Sequence, residues 1–432
     1  MSLDGDSCLG FSFCCKNEKI RYNELMDEIS RYAVGLDVGT NNVRTVVASV
    51  THGGALNVIG YAEVPNSGMR RGVVANLSGP AQAIDRALGE AERMSGHEVN
   101  SATISINGAQ IVSTRTEGMI AVGGMEHEIT ESDLARVEDV ALQGRIPANQ
   151  AVLKVIPLQF VLDGQGGIKD PLGMTGSRLE MKANVVSTLA PGYENLRKTA
   201  EQANVTAEQV IPSVEAAARA VLTERQRENG VAVVDIGAAT TGVAVYEEND
   251  LQYIGVVPVG SNNITNDLAV MLAIDTEVAE EIKRRFATGS FGAVDAPVVI
   301  RWRGKELRFE RSQIDEVVQA RIEEILDLVR KELKKAHYDQ RLPEGVVLTG
   351  GGAKMRDIDK FVREILQTSV KVGVPTGLSG MTDVLGKPEY ATAVGLMLSS
   401  LDGSATVQGK KVRGKAKKNK KPGALKRFLS KF

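Results

Sequence analysis

Asp37-Val38-Gly39-Thr40-Asn41-Asn42-Val43 and Asp235-Ile236-Gly237-Ala238-Ala239-Thr240-Thr241 decide the fold of this chain, because one pattern occurs twice at equivalent places. Before the first stands the apolar run Ala33-Val34-Gly35-Leu36, and before the second the run that begins at Val231. After each comes an alternating run that reads as a returning strand, from Val43 to Val50 and from Gly242 to Tyr246. An apolar run that breaks at Asp-x-Gly and resumes with period two is the pattern of a hairpin. Taken singly, either turn is an ordinary hairpin or capping turn. Two copies at equivalent points of a repeat carry far more information.

Outward from the first loop, a third strand is expected around Leu56 to Val64. A helix follows from about Pro80 to Met94, with Ile84, Leu88 and Ala91 on one face, and then a strand from Ala102 to Ile106. Outward from the second loop come a strand from Leu251 to Val259 and a helix from about Asn262 to Ala273. The order β-β-β-α opens both copies, which marks an internal duplication. Two similar halves leave a cleft between them, the default place for a ligand. Farther along, Ile314, Val317, Val318, Ile325, Leu328, Val329 and Leu333 form a helical stripe inside a charged stretch, the sign of a long helix packed on one face. Val346 to Leu348 then leads into Gly350-Gly351-Gly352 and a helix from about Met355 to Leu366, and Tyr390 to Leu401 reads as a last apolar helix.

Glycine in an Asp-x-Gly turn lets backbone N–H groups approach phosphate oxygens that a side chain would fend off. Thr40 and Asn41 add short polar donors beside it. Asp37 and Asp235, one from each half, are candidate ligands of magnesium or its waters, since hard cations prefer oxygen. Gly350, Gly351 and Gly352 permit a nucleotide to pass closely across the start of the following helix, where the dipole favours negative charge. A strand-to-helix turn needing positive φ explains the triplet equally well. Glu280 and Lys283 lie one turn apart on an expected helix and can face a common ribose or base, although a solvated Glu/Lys pair has the same spacing.

With 432 residues and 43 % hydrophobic positions the chain can bury more than one core, and no run approaches the ~20 apolar residues that cross a bilayer. The formal charge of −2 hides an asymmetry: Gly409 to Phe432 holds eleven Lys and Arg and no Asp or Glu, so an acidic body carries a basic tail. An anionic partner for that tail is expected. Cys8, Cys14 and Cys15 all lie in the first fifteen residues, so no disulfide framework spans the body and a reducing compartment is the natural reading. Residues 1–31 lack the basic start and long apolar run of a secretory signal and read as a mobile extension. Adjacent cysteines without a nearby histidine are poorly spaced for zinc.

The last residues carry their own message. Leu425, Phe428, Leu429 and Phe432 are spaced i, i+3, i+4, i+7 and fill one side of a helix, while Lys426, Arg427, Ser430 and Lys431 fill the other. That is the build of a helix lying in a membrane interface. A helix this short is marginal in water, so its folding accompanies binding. Burying the four apolar side chains yields about 1.5–3 kcal/mol each before ordering is subtracted, and cations near an anionic leaflet add about 1 kcal/mol each. A monomer then binds reversibly and a polymer firmly, through avidity. Docking on the protein's own body, nucleic-acid binding by Lys410 to Lys421, and a solubilising extension are the other readings of the tail. Large apolar residues on one face, without polar readout groups, suit lipid better than nucleic acid.

Taken together, these residues resemble the actin, heat-shock chaperone and sugar kinase superfamily, whose two phosphate loops and adenosine motif occur in this order. Within it the chain is similar to the FtsA family, on the segment Val155-Ile156-Pro157-Leu158-Gln159-Phe160 and on Gly167-Ile168-Lys169-Asp170-Pro171-Leu172-Gly173-Met174 with Gly176. The resemblance runs from about Tyr32 to Leu401. It implies an α/β, actin-like, duplicated ribonuclease-H-type fold with two lobes around a nucleotide cleft, plus an FtsA-type inserted subdomain. The implied divisions are 32–113 with 189–222 for the first lobe, 114–188 for the inserted subdomain used in self-polymerisation, and 223–260 with 341–401 for the second lobe. A second-lobe subdomain at 261–340, a basic linker at 402–421 and a membrane-targeting helix at 422–432 complete the chain.

Further implications concern ligands and partners. ATP and Mg2+ are expected, on Asp37, Gly39, Thr40, Asn41, Asp235, Gly237, Thr240, Thr241, Glu280, Lys283, Gly350, Gly351 and Gly352. The C-terminal tail of FtsZ is expected on 261–340, where Arg301, Arg303 and Arg311 are candidate cations for an acidic peptide. Other divisome proteins, self-assembly into filaments and an anionic membrane, met by Leu425, Lys426, Arg427, Phe428, Leu429, Lys431 and Phe432, are implied too; nucleic acid is not. The implied place is peripheral, on the cytoplasmic face of the membrane at the division site. The second loop departs from the superfamily: after Gly237-Ala238-Ala239-Thr240 stands Gly242 where an acidic residue is common, so a possible magnesium-water ligand is missing. No residue presents itself as a general base, and hydrolysis is expected to be weak or absent. A phosphotransferase of sugar kinase type, or a pilus-assembly or chaperone-like ATPase of the same superfamily, is the alternative.

Overall fold

The computed structural model describes residues 29–123, 128–290, 292, 296–338 and 342–402. Of the extension expected at 1–31, residues 1–28, with all three cysteines, lie outside the described residues, whereas 29–31 already pair as the start of the first strand; the basic linker and the expected tail helix after Asp402 also lie outside.

The first hairpin pairs β1 (Ile29–Val38) with β2 (Asn42–Thr51), placing Asp37 opposite Arg44 and Val38 opposite Val43. β3 (Leu56–Pro65) extends the sheet along β2. A small hairpin absent from the sequence reading, β4 (Met69–Arg70) with β5 (Val73–Val74), precedes α1 (Ser78–Ser95). The apolar stripe of α1 buries Ile84, Ala87, Leu88 and Ala91, as the 3.6-residue period requires. β6 (Ser101–Ile106) then runs parallel to β1.

From here the chain leaves the lobe to build a second layer from β7 (Val112–Ala121), α2 (Glu131–Leu142), β8 (Gln150–Leu162), β9 (Gln165–Ile168) and β10 (Arg178–Leu189), ordered β7-β10-β8-β9. The start of α2 is fixed by a capping box between Thr130 and Asp133. α3 (Ala190–Gln202) leads back to β11 (Thr206–Pro212), which joins β6.

α4 (Ser213–Val221) and α5 (Glu224–Asn229) connect to the second lobe. Its hairpin is β12 (Val231–Ile236) and β13 (Thr241–Glu247), extended by β14 (Asp250–Val257). α6 (Ser261–Met271), α7 (Thr276–Phe286), the hairpin of β15 (Val298–Trp302) and β16 (Lys305–Phe309), and α8 (Arg311–Lys335) follow. β17 (Val346–Thr349), α9 (Ile358–Leu366), β18 (Val370–Val372), α10 (Thr382–Leu385) and α11 (Ala391–Ser399) close the fold. The two main sheets run β3-β2-β1-β6-β11 and β14-β13-β12-β17-β18, the same connectivity twice. Every residue of β12 is buried, because helices cover both faces; this is why its sequence is continuous Val and Ala rather than alternating.

The helix expected from Met355 starts instead at Ile358, after a single 3-10 turn at Gly351–Lys354. Two features, one long-range and one local, delay it. Arg356 bridges to Thr288, and Asp357 adopts a left-handed φ of 60°, which no helix interior tolerates.

α4 and α11 cross where the lobes join, and small residues make the crossing possible. A Cβ at Gly395 would collide with the carbonyl oxygen of Ala216, a backbone atom that cannot swing aside. Gly395→Ala should therefore lower stability by about 1–3 kcal/mol, the usual cost of overpacking. The check is a urea midpoint for the variant; an unchanged midpoint would show that the crossing has slack.

Candidate functional site

The two hairpin turns are built alike. Gly39 N–H donates to Asn42 O at 3.1 Å, and Gly237 N–H donates to Thr240 O at 2.9 Å. A Cβ on either glycine would press on the same carbonyl, at 2.7 Å and 2.9 Å respectively, so the turns need glycine for space. The first two amides of α6 pin the second turn: Ser261 N–H donates to Gly237 O at 2.9 Å and Asn262 N–H to Ala238 O at 2.7 Å. Across the gap, Asn41 and Asn262 exchange a pair of amide hydrogen bonds of 2.9 and 2.8 Å.

Between the turns lies a cleft of about 620 Å3. Asp37, Gly39, Thr40 and Asn41 line it from the first lobe; Asp235, Gly237, Thr240, Glu280, Lys283, Gly350, Gly351 and Gly352 line it from the second. Thr241 does not. It is fully buried and its hydroxyl donates to Val259 O at 2.8 Å, because the period of two turns position 241 away once Thr240 faces the cleft.

Asp37 and Asp235 are 8 % and 9 % exposed. Ser105 Oγ donates to Asp37 Oδ1 at 2.8 Å and accepts Val38 N–H at the same distance. Thr392 Oγ1 donates to Asp235 Oδ2 at 3.5 Å. Burial raises both carboxyls above the usual range; Asp235 is pushed up to about 7, with the charge of Asp37 adding to burial. Gly350, at φ 81°, passes so close to Asp235 that a side chain there would strike its carboxylate. Glu280 and Lys283 pair at 2.7 Å and share Thr265, whose hydroxyl donates to Glu280 at 2.6 Å and accepts from Lys283 at 2.8 Å.

Other lining residues went unnoticed in the sequence: Asn42, Arg44, Glu63, Asn107, Asn262, Lys354, Glu389, Tyr390 and Thr392. Asn107 Nδ2 donates to Thr240 Oγ1 at 3.0 Å, tying the end of β6 to the second turn. Asn42, inside the first turn motif itself, and Arg44 and Glu63, through hairpin register, were within reach of sequence reasoning. Gly242 has a structural cause: a Cβ there would sit 2.7 Å from Val214 Cβ, so α4 occupies the space an acidic side chain would need.

Among the described residues no group of three or more His, Cys, Asp and Glu converges on a metal position. Two buried carboxylates with raised affinity for positive charge still fit a hard divalent cation that completes its shell with phosphate and water. The arginines chosen for a partner lie away from the cleft. Arg301 is exposed on β15, and Arg303 sits 3.5 Å from Glu277 and 5.7 Å from the Trp302 ring centre. Arg311 departs from the expectation of an exposed cation. It pairs with Asp315 at 2.8 Å, one turn on in α8, with the two side chains only 11 % and 8 % exposed. No helix among the described residues is long and apolar enough to cross a membrane.

A duplicated sheet with one cleft between its copies, and a further layer inserted into the first, define an actin-like two-lobe protein. Solved structures agree: the PilM-PilN type IV pilus biogenesis complex aligns at a TM-score of 0.61 and 17 % identity over 85 % of this chain and 98 % of that one. MreB5 of Spiroplasma citri bound to ADP aligns at 0.51 and 15 % over 86 % and 96 %. The profile of the family described as cell division protein FtsA matches residues 232–395, and that of the SHS2 domain inserted in FtsA matches residues 108–187. Cell division protein FtsA of Pseudomonas aeruginosa is 36 % identical over 90 % of this chain and 94 % of its own length. Those of Escherichia coli and Bacillus subtilis are 33 % and 32 % identical, each over 88 % of this chain, and 93 % and 85 % of their own. The chain belongs to the FtsA family of cell-division proteins.

The carboxylate pair gives a pH test. Folded Asp235 holds its proton more tightly than the unfolded side chain does, so its contribution favours folding at low pH and is lost as pH rises from about 4 through about 7. In metal-free buffer, Asp235→Asn should raise the melting temperature over the parent more at pH 8 than at pH 5. A difference that does not grow with pH would contradict the burial of the charge.

Proposed function

We propose that this chain is an ATP-binding, actin-like cell-division protein that polymerises and anchors FtsZ filaments to the cytoplasmic membrane through its C-terminal amphipathic helix. The observation that carries the reading is the meeting of two equivalent Asp-x-Gly turns in one cleft, with a third glycine segment closing beside Asp235. The glycine amides close the two turns, and the amides that follow them, of Thr40 and Asn41 and of Ala238 to Thr240, receive phosphate oxygens, as glycine turns open to a cleft do. Asp37 and Asp235 hold Mg2+, whose positive charge lets a polyphosphate share the cleft with two carboxylates. Glu280 and Lys283 face the ribose or base from α7.

A phosphotransferase needs an unencumbered carboxylate base, whereas each remaining carboxylate of this cleft has at least one oxygen held by a cation, amide or hydroxyl, although Glu389 Oε2 is buried without a partner. Glu63 accepts from Asn42, Arg44 and Tyr390, Glu280 from Lys283 and Thr265, and Glu389 pairs with Lys354. That favours a binding protein whose state, rather than turnover, is its output. Arg301 and Arg303 on the β15–β16 hairpin offer cations to the acidic FtsZ tail, while Arg311 is already neutralised within α8. The tail helix with Leu425, Phe428, Leu429 and Phe432 supplies the lipid contact, and assembly of many copies turns a weak anchor into a firm one.

Sedimentation with anionic vesicles, in magnesium and ATP, tests the whole. The full chain should pellet with the vesicles and bring a labelled FtsZ tail peptide with it, and a chain ending at Pro422 should stay in solution. If both stay in solution the membrane role is wrong; pelleting without the peptide removes FtsZ as the partner.

A further inference from the structure

Strand register lays a row of charges along the floor of the cleft. Asp37 of β1 stands opposite Arg44 of β2, and Arg44 stands opposite Glu63 of β3. Directly opposed residues project from the same face of a sheet, so the first lobe presents acid, base and acid in a line. All three line the cleft. Arg44 is fixed there: its Nη2 donates to Glu63 Oε1 at 2.8 Å, and its guanidinium lies 5.6 Å from the centre of the Tyr390 ring. Glu63 is itself held by Asn42 Nδ2 at 2.7 Å and by the Tyr390 hydroxyl at 3.0 Å.

Despite this support, Arg44 Nε is buried and has no hydrogen-bond partner. An unmet buried donor on a charged group costs free energy, and since Arg44 already lines the cleft, turning its guanidinium toward an acceptor there recovers part of that cost. The duplication sharpens the point. At the matching rungs of the second sheet Asp235 stands opposite Gly242, and Gly242 opposite Val256, with α4 filling the space. The fold therefore sets a cation in the row beside one carboxylate and not the other. Four other cations line the cleft, all outside the strand rows: Lys283 pairs with Glu280 and Lys354 with Glu389, at 2.7 and 2.6 Å, while Arg284 on α7 and Lys387 between α10 and α11 are exposed at its edge.

We propose that Arg44, positioned by Glu63 and Tyr390, is a phosphate-binding residue of the cleft, recognising the phosphoryl chain of a nucleotide rather than its nucleoside. The inference rests on the nucleotide reading given above. Its chemistry is that of a guanidinium beside carboxylates: the planar fork offers a charge-assisted donor to phosphate oxygen while one arm stays on Glu63.

The test compares ATP and adenosine, each displacing a fluorescent ATP analogue from the full chain in magnesium, for the parent, Arg44→Met and Arg44→Lys. Arg44→Met should weaken ATP about tenfold to a hundredfold, the loss of a hydrogen bond to a charged group, and leave adenosine unchanged. Arg44→Lys keeps the charge without the fork and should fall between. Circular dichroism melts establish that each variant is folded; if Arg44→Met is not, the intermediate loss in Arg44→Lys, again confined to ATP, carries the decision. Equal losses for ATP and adenosine, or none, would overturn the role of Arg44 while the nucleotide reading stands. A parent that binds neither ligand overturns both.

Discussion

Two aspartates from different lobes, each almost wholly buried and each repelling the other, set the terms for this structure. Water does not screen them, so their pairing is tolerable only if one proton is retained or positive charge enters the cleft. The rest of the cleft reads as a response to that strain. Ser105 and Thr392 each give one hydroxyl to a carboxylate, Arg44 lies beside Asp37, and Gly350 keeps the space next to Asp235 clear. Charge at the cleft thereby becomes coupled to how closely the lobes approach.

That coupling reaches beyond the cleft through the inserted layer. Both of its connections come from the first lobe, yet its sheet rests on the β13–β14 hairpin of the second. Arg115 donates to Gln252 O at 3.1 Å and to its side chain at 3.0 Å, Asn184 donates to Leu251 O at 3.0 Å, and Lys169 meets Asp250 at 2.7 Å. A relative movement of the lobes must carry this layer or break those bonds. At the junction itself, α4 and α11 touch backbone to backbone through Gly395, a contact that permits little sliding.

Much of this was legible in the sequence because it is governed by local rules. The hairpins, their repeat and the glycine turns follow from period two and from the steric freedom of glycine, and the structure brings Asp37, Asp235 and the Gly350 segment together as the duplication implies. What escaped depends on tertiary context. Thr241 shares a motif with Thr240 but faces the opposite side of its strand. Tyr390 and Thr392 reach the cleft only because the last helix folds back across the first lobe, which no local pattern reports. The helix after the glycine triplet begins late because Arg356 is engaged by Thr288, a long-range contact. Arg311 looked like a free cation because its burial against Asp315 arises from packing of α8.

The central claim is that the two lobes make one site, and a double-mutant cycle tests it directly. The affinity of the full chain for ATP in magnesium would be measured for the parent, Asp37→Asn, Asp235→Asn and the double variant. If both carboxylates serve one bound group, the effects are non-additive, with a coupling of about 0.5–3 kcal/mol. Effects that simply add would mean that the two turns act independently, and would contradict the account.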